Sequence, residues 1–286
     1  MLIKSVHKAI QILVLFSLSN PLLGITEISR ALRLKKPTVQ GLVRTLLKEG
    51  FLQQDMETRK YRLGLKIYEL GTILAGNLEI NQKASMPAHE LAKKTGQLVH
   101  IAIPDKDSCI ITLDAYPRSQ PFLSRSFGPR SPLYCTALGK AILAFLDQRE
   151  INLYIKAAKL IPYTSNTIVE KKQLLRELEE TRRRGYSVNR EEHLLNRAAI
   201  GAPIFERGGR LSAAISLVGD PNHIAGEKTN ALATEVMATA MEISRNMGFF
   251  LEAPFMEWMN RTHPNRIRDY VAVALNRPAG TSRKAL

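Results

Sequence analysis

The chain has 286 residues and a formal net charge of +15, a length that suggests two domains and a balance that suits an acidic partner. Its two cysteines, Cys109 and Cys135, form neither a disulfide framework nor a metal-ligand pattern, and they point to a reducing, cytoplasmic setting. No apolar run reaches the ~18 residues a membrane span needs, and the first residues lack the form of a signal peptide, so a soluble protein with no membrane partner is expected.

The first segment, "SVHKAIQILVLFSLSN", reads as an apolar helix with Ile10, Leu13 and Phe16 available for packing. "GITEISRALRL" reads as a short helix with Thr26 as N-cap and Ser29 three residues on, and Leu34 and Lys35 make a tight turn. The next helix is expected from Pro37 to Glu49, because Val39, Leu42, Val43, Leu46 and Leu47 recur at helical spacing and Gly50 is a stop. Opposite that stripe lie Gly41, Arg44, Thr45 and Lys48, with Thr38 and Gln40 on its shoulders. Gly41 is roughly 1 kcal/mol worse than alanine inside a helix, so its place on the outer face suggests close approach to another molecule.

"FLQQDMETRKYRLG" then gives two short strands around a polar turn at Asp55 to Thr58. Tyr61 and Leu63 alternate with Lys60 and Arg62, so one face is expected to pack while the other offers cations, joined by Arg59 at the turn. Two short helices, a tight turn and a hairpin wing are the pattern of a winged helix-turn-helix. The first 63 residues hold eleven Lys and Arg against four Asp and Glu, so about a quarter of the chain carries +7 of its charge. A plain amphipathic helix would explain the middle segment alone. The wing and the concentrated charge favour DNA, with Thr38, Gln40, Gly41, Arg44, Thr45, Lys48, Arg59, Lys60 and Arg62 as the candidate contacts.

After Gly64, "LKIYELGTILAGNLEINQ" places Leu65, Tyr68, Thr72, Ala75 and Leu78 near one stripe of a connecting helix, expected to dimerise. "KASMPAHELAKKTG" is a further helix stopped at Gly96, and "QLVHIAIPDKDSCIITLDAY" is a hairpin about Pro104 to Asp107. "QPFLSRSF" reads as a strand, "GPRSPLYC" as a loop and "TALGKAILAFL" as a helix. A charged helix follows in "NTIVEKKQLLRELEETRRRG", ending at Gly185. "AAIGAPIFERGGRLSAAISLVG" is a hairpin with a Gly-Gly turn, and a closing helix is expected from about Ala225 to Phe250. Strand pairs separated by helices without a βαβ repeat indicate an α+β domain on an antiparallel sheet. The expected organisation is a DNA-binding domain over 1–64, a linker and dimerisation helix over 65–81, a ligand-sensing domain over 82–252 and a basic tail over 253–286, read as an arm.

The pieces "SVHKAIQIL", "ITEISRALRLKKPTVQGLVRTLLKEGFL", "YRLGLKIYELG", "PLYCTALGKAILAFL", "GYSVNREEH" and "IGAPIFERGGRLSAAISLVG" occur in order. Together they resemble the IclR family of bacterial transcriptional regulators over about residues 4 to 250. The resemblance implies a winged helix-turn-helix, a dimerising helical linker and a GAF-like effector domain, in a homodimer or dimer of dimers. It carries an effector pocket onto Thr136, Ala137 and Leu138, onto Arg190, and onto Ala199, Ser216 and Val218. A helix N-terminus spanning Thr136 to Gly139 favours an anion. With a hydroxyl at Ser216 and a charge at Arg190, it suits the carboxylate of a small organic acid. In the alternative reading Thr136 merely caps its helix, Ser216 is a strand residue and Arg190 is solvated.

The resulting expectation is a transcriptional regulator that binds a near-palindromic operator under the control of a small effector, with no cofactor and no metal. The rival readings are an architectural DNA-binding protein and an enzyme. The six histidines are scattered without a metal-binding pair. Cys135, the one tempting nucleophile, is better read as a small packed group.

Overall fold

Helix α1, Lys4–Val14, is anchored by Ile12, which is wholly buried, with Leu13 and Phe16 packed against the same core. Ile10 faces outward instead, 53% exposed, because the phase of the helix turns Ile12 toward its neighbours. The computed structural model describes residues 2–117 and 129–249, so the expected strand at 120–127 and the basic tail lie outside the described residues. Contacts divide the chain into two units between Leu78 and Glu79.

In the first unit, α2 spans Ile25–Leu32 and α3 spans Lys36–Lys48. Thr26 lies inside the first turn of α2 and does not cap it. The cap is Gly24, whose N–H donates to the Glu27 carboxylate at 2.5 Å. Arg33 takes a left-handed conformation at the end of α2, and the Ser29 hydroxyl donates to the Leu34 carbonyl at 2.6 Å, which fixes the tight turn. Pro37 lies in the first turn of α3, one residue after its start at Lys36. Val39, Val43 and Leu46 bury its inner face against Ile12, Ile28 and Leu52.

Strands β1, Leu52–Gln54, and β2, Tyr61–Leu63, pair antiparallel to make the wing. Tyr61 also exchanges two 2.9 Å backbone hydrogen bonds with Leu23, so the return strand is tied to the segment that leads into α2. Tyr61 is half-buried, but Leu63 is exposed and does not share its packing. The turn is held by Asp55, whose carboxylate accepts from the Thr58 N–H and hydroxyl at 2.8 and 2.7 Å. Helix α4, Leu65–Asn77, buries none of its residues. Leu78 is extended and helix α5, Glu79–Thr95, begins immediately after it, so the last three residues of the expected linker belong to the second unit.

The second unit is built on six strands: β3, Leu98–Asp105; β4, Ser108–Ala115; β5, Arg130–Pro132; β6, Ser187–Arg190; β7, Ala198–Phe205; and β8, Leu211–Gly219. They lie in the order β5-β4-β3-β8-β7-β6, every neighbour antiparallel. Arg130–Pro132, expected as loop, is thus an edge strand, too short for its alternation to show in sequence. Helix α6, Ala137–Phe145, lies on one face and is buried along its whole length. Helix α7 is Gln148–Ala157, and α8, Lys171–Arg184, packs behind α6 and stops at Gly185. The short α9, Pro221–Ile224, precedes α10, Thr229–Asn246, which with α5 covers the other face of the sheet. The expected closing helix therefore begins four residues late, after Gly226 and the Thr229 hydroxyl close a turn.

Glycine is required where α6 meets its neighbours. An added Cβ at Gly139 would stand 2.3 Å from Leu133 Cα, and one at Gly201 would stand 2.6 Å from the Ala137 carbonyl oxygen. The start of α6 is thus seated backbone to backbone on β7. Among the described residues no helix is long and apolar enough to cross a membrane.

Candidate DNA interface and effector site

Helix α3 presents Thr38, Gln40, Gly41, Arg44, Thr45 and Lys48 together as an exposed face. The Thr45 hydroxyl donates back to the Gly41 carbonyl at 3.1 Å. A side chain added at Gly41 would meet nothing within 4 Å, so nothing inside the protein demands glycine there. The space it leaves opens outward, beside Arg44. On the wing, Arg59 and Arg62 are exposed, Arg59 at a left-handed position of the turn.

Lys60 stands apart from these. Its ammonium bonds Glu27 Oε1 at 2.9 Å, and Glu27 Oε2 accepts the Gly24 N–H. The Lys60 hydrogen bond and then the Gly24 N–H hold the Glu27 carboxyl below its usual range. The lysine is therefore engaged as a brace between the wing and the start of α2, next to the Leu23–Tyr61 bridge. Its sequence neighbour Arg62 retains an outward charge.

In the second unit Thr136 is the N-cap of α6. Its hydroxyl accepts the Gly139 N–H at 3.0 Å and donates to the Pro132 carbonyl at 2.7 Å. Both capacities of this side chain are spent within the protein, and so is the Gly139 amide. Among the described residues, the first-turn amides of Ala137 and Leu138 have no acceptor. Three side chains fix this turn against β6 and the segment after it. Ser187 Oγ donates to the Ala137 carbonyl at 2.6 Å, Asn189 Nδ2 donates to the Cys135 carbonyl at 2.6 Å, and Lys140 Nζ reaches Glu192 Oε1 and the Val188 carbonyl, each at 2.6 Å.

Directly opposed residues of antiparallel strands share a face. The register places Ser187, Gly201, Ser216, His100 and Asp114 in one row across five strands, on the face that carries α6. The adjacent row holds Asn189, Ala199 and Val218. Ser216, Ala199 and Val218 thus come together beside the start of α6, with Ser216 and Ala199 buried and Val218 half-buried. His100 is 4% exposed, and its Nδ1 lies 2.6 Å from Asp114 Oδ1. The Tyr116 hydroxyl donates to the other oxygen of Asp114 at 3.4 Å. The imidazole is thus buried, held by a carboxylate and directly opposite Ser216 in the register.

Arg190 does not join this group. It follows Asn189 on β6, so strand alternation sends it to the opposite face, where it is exposed. There it lines a separate polar cavity of about 670 Å³ with Asp220, His223 and Lys228. Asn189 occupies the inward position one residue earlier. His100, Asp114 and Asn189 were not among the residues expected from sequence. The signal for His100 was a polar residue inside the otherwise apolar run "LVHIAI". Cys135 is wholly buried and burial pushes its thiol pKa up to about 12, which leaves it a poor nucleophile.

A winged helix-turn-helix unit, followed by an α+β unit with a helix N-terminus facing a polar row, is the build of a DNA-binding transcriptional regulator with a sensing domain. The sequence matches the family model described as Bacterial transcriptional regulator IclR C-terminal over residues 73–245, and that described as IclR helix-turn-helix domain over residues 5–56. The chain belongs to the IclR family of bacterial transcriptional regulators. HTH-type transcriptional regulator KipR of Bacillus subtilis is 33% identical over 246 residues, which cover 86% of this chain and 98% of that regulator. The crystal structure of the Thermotoga maritima IclR is similar with a TM-score of 0.69 at 30% identity, covering 86% of this chain and 99% of that one. An IclR homologue from Microbacterium hydrocarbonoxydans, solved in complex with 4-hydroxybenzoate, shares the fold at 17% identity and a TM-score of 0.73, over 85% of this chain and 99% of that one.

Proposed function

We propose that this regulator binds a near-palindromic operator as a dimer, and that a small organic acid bound in the second unit sets its affinity for DNA. The observation that carries the effector reading is the pair of amides at Ala137 and Leu138, without an acceptor among the described residues, at the start of a helix seated on Gly201, which shares its row with Ser216 and His100. Amide dipoles at a helix N-terminus, a hydroxyl and an imidazole suit one carboxylate. Leu138, Ala199 and Val218 give the body of the acid van der Waals contact. A sugar would find too few partners. The aromatic acid bound by the Microbacterium homologue is of the class expected here.

Direct reading of bases falls to Thr38, Gln40 and Arg44 on α3, with Gly41 admitting close approach and Thr45, Lys48, Arg59 and Arg62 placed for backbone contact. Dimerisation is supported by α4, which exposes Leu65, Tyr68, Leu70, Ile73 and Leu74 without burying any of them. Such a helix is stable in water when a second copy covers it. A two-fold pair would set two recognition helices about 34 Å apart, one turn of DNA. We place the regulator in the cytoplasm and assign it no reaction of its own; the Cys135 thiol beside the site is buried.

Calorimetry on the full chain with benzoate, 4-hydroxybenzoate, aliphatic keto acids and neutral sugars tests the effector reading. Acids should bind, and Ser216→Ala should weaken them about ten- to a hundredfold, the loss of a hydrogen bond to a charged group. Sugar binding, or unchanged acid affinity in Ser216→Ala, would refute it.

A further inference from the structure

We infer that the cavity between β5, α7 and the segment 158–163 is a second small-molecule site, separate from the effector site and shaped for a planar aromatic carboxylate. It encloses about 390 Å³, within the range of pockets that hold small ligands. Its place in the fold keeps it apart from the row of Ser216 and His100. Those residues lie on the central strands β8 and β3, whereas this cavity opens at the β4–β5 edge of the sheet.

Three tyrosines define the cavity. Tyr134 is buried, and its hydroxyl both donates to the Ile161 carbonyl at 2.7 Å and accepts the Ile161 N–H at 2.9 Å. Its ring is therefore a fixed wall, and the segment carrying Ile161 is tied to it. The Tyr163 ring stands 6.4 Å from that of Tyr134, inclined by 39°, and is braced behind by His193 at 4.9 Å. Tyr154 comes from α7 to complete the lining. Tyr163 is 48% exposed and Ile161 56%, so the mouth of the cavity carries apolar surface that a flat ring would cover. Ring-to-ring contact between such walls is worth more than the buried area alone.

Cationic hydrogen-bond donors suit the cavity to an anion. Arg130 and Lys159 line the cavity against one carboxylate, Asp107. Arg130 is held in place by Asp105 at 2.5 Å and by the Ser108 hydroxyl, so it is pre-positioned. Lys159 has no carboxylate partner among the described residues. With Asp105 engaging Arg130, Lys159 is the cation left facing a ligand, and its ammonium can bond a carboxylate while the rigid Arg130 borders it. Tyr134 lies two residues before the cap of α6, so an occupant pressing on its ring bears on the turn that positions the effector amides.

The test uses the full chain labelled with 3-fluorotyrosine, its fluorine resonances assigned through Tyr134→Phe, Tyr154→Phe and Tyr163→Phe, and titrated with benzoate. The Tyr154 and Tyr163 resonances should shift saturably. The same shifts should persist in Ser216→Ala, and the affinity they report should fall about three- to tenfold in Tyr163→Ala. Cyclohexanecarboxylate should bind more weakly, and benzyltrimethylammonium should leave both resonances in place. The inference is overturned if benzoate shifts neither resonance up to its solubility, or if either control binds as well as benzoate. It is also overturned if Ser216→Ala abolishes the shifts, because the rings would then be reporting the effector site. Failure of the effector reading alone shows differently, as unchanged acid binding in Ser216→Ala with the Tyr163→Ala effect intact.

Discussion

Replacing Lys140 by methionine should be among the most damaging single changes in the second unit. Lys140 is 1% exposed in the middle of α6, and its ammonium is bonded to Glu192, to the Val188 carbonyl and, at 3.3 Å, to Glu177. Glu177 keeps Arg184 at 2.8 Å as a second partner, but among the described residues Glu192 has no other cation. Its second oxygen is already buried without a hydrogen bond. Lys140→Met therefore strands a carboxylate that is itself 6% exposed, and breaking a buried pair from one side costs about 3–5 kcal/mol. Against a total stability of about 5–15 kcal/mol this is a large share. Removing both charges should behave differently. Lys140→Met combined with Glu192→Leu should lie within about 1 kcal/mol of the parent or above it, since apolar replacement of a whole buried pair is often neutral or stabilising. Urea unfolding of the full chain, followed by circular dichroism, reads both values when the slopes agree. A single variant that loses under about 1 kcal/mol, or a double variant no better than the single, would refute the assignment of Glu192 as the stranded partner.

Arg44→Ala should weaken operator binding by about 1–3 kcal/mol with the fold intact, measured by mobility shift alongside thermal melting; unchanged affinity would mean that Arg44 does not reach the DNA. Arg62→Ala should reduce the salt slope of binding by about one unit, whereas Lys60→Ala should leave the slope unchanged because its charge is already spent on Glu27. A fall in slope with Lys60→Ala would return Lys60 to the phosphate contacts. Tyr68→Glu, on the exposed face of α4, should dissociate the dimer in sedimentation at concentrations where the parent is paired, and a parent that is monomeric throughout refutes the linker's role.

The winged unit was legible because its determinants are local. Val39, Val43 and Leu46 repeat within one helix, Gly50 and Gly64 bracket the wing, and each signal is read within a few residues. The misreadings there are a matter of phase and of capping partner. Ile10 and Ile12 are both apolar and two residues apart, and only the neighbours of α1 decide which is buried. Likewise Thr26 has the right chemistry for a cap, yet Gly24 takes the position because Glu27 reaches back to its N–H. Lys60 looked like any wing cation. Its partner Glu27 lies 33 residues upstream, and no short window contains both.

The proposed effector site is assembled the other way, across a sheet whose neighbours are far apart in sequence. His100 and Asp114 meet through a hairpin, Ser216 joins them from a strand more than a hundred residues later, and Gly201 brings the start of α6 down onto the row. Sequence reasoning proposed the helix N-terminus and Ser216, each a local feature, but could not read the registers that bring them near one another. Arg190 shows what a register decides. Its charge made it the natural candidate in "SVNRE", yet the strand alternates, Ser187 and Asn189 take the inward positions, and Arg190 is left outside. The inward residues are neutral for a physical reason. They anchor α6 by bonding the Ala137 and Cys135 carbonyls, and a buried guanidinium in either place would need a carboxylate of its own. In the site proposed above, the positive potential at this end of the sheet therefore has to come from dipoles, those of the Ala137 and Leu138 amides, and not from a side-chain cation.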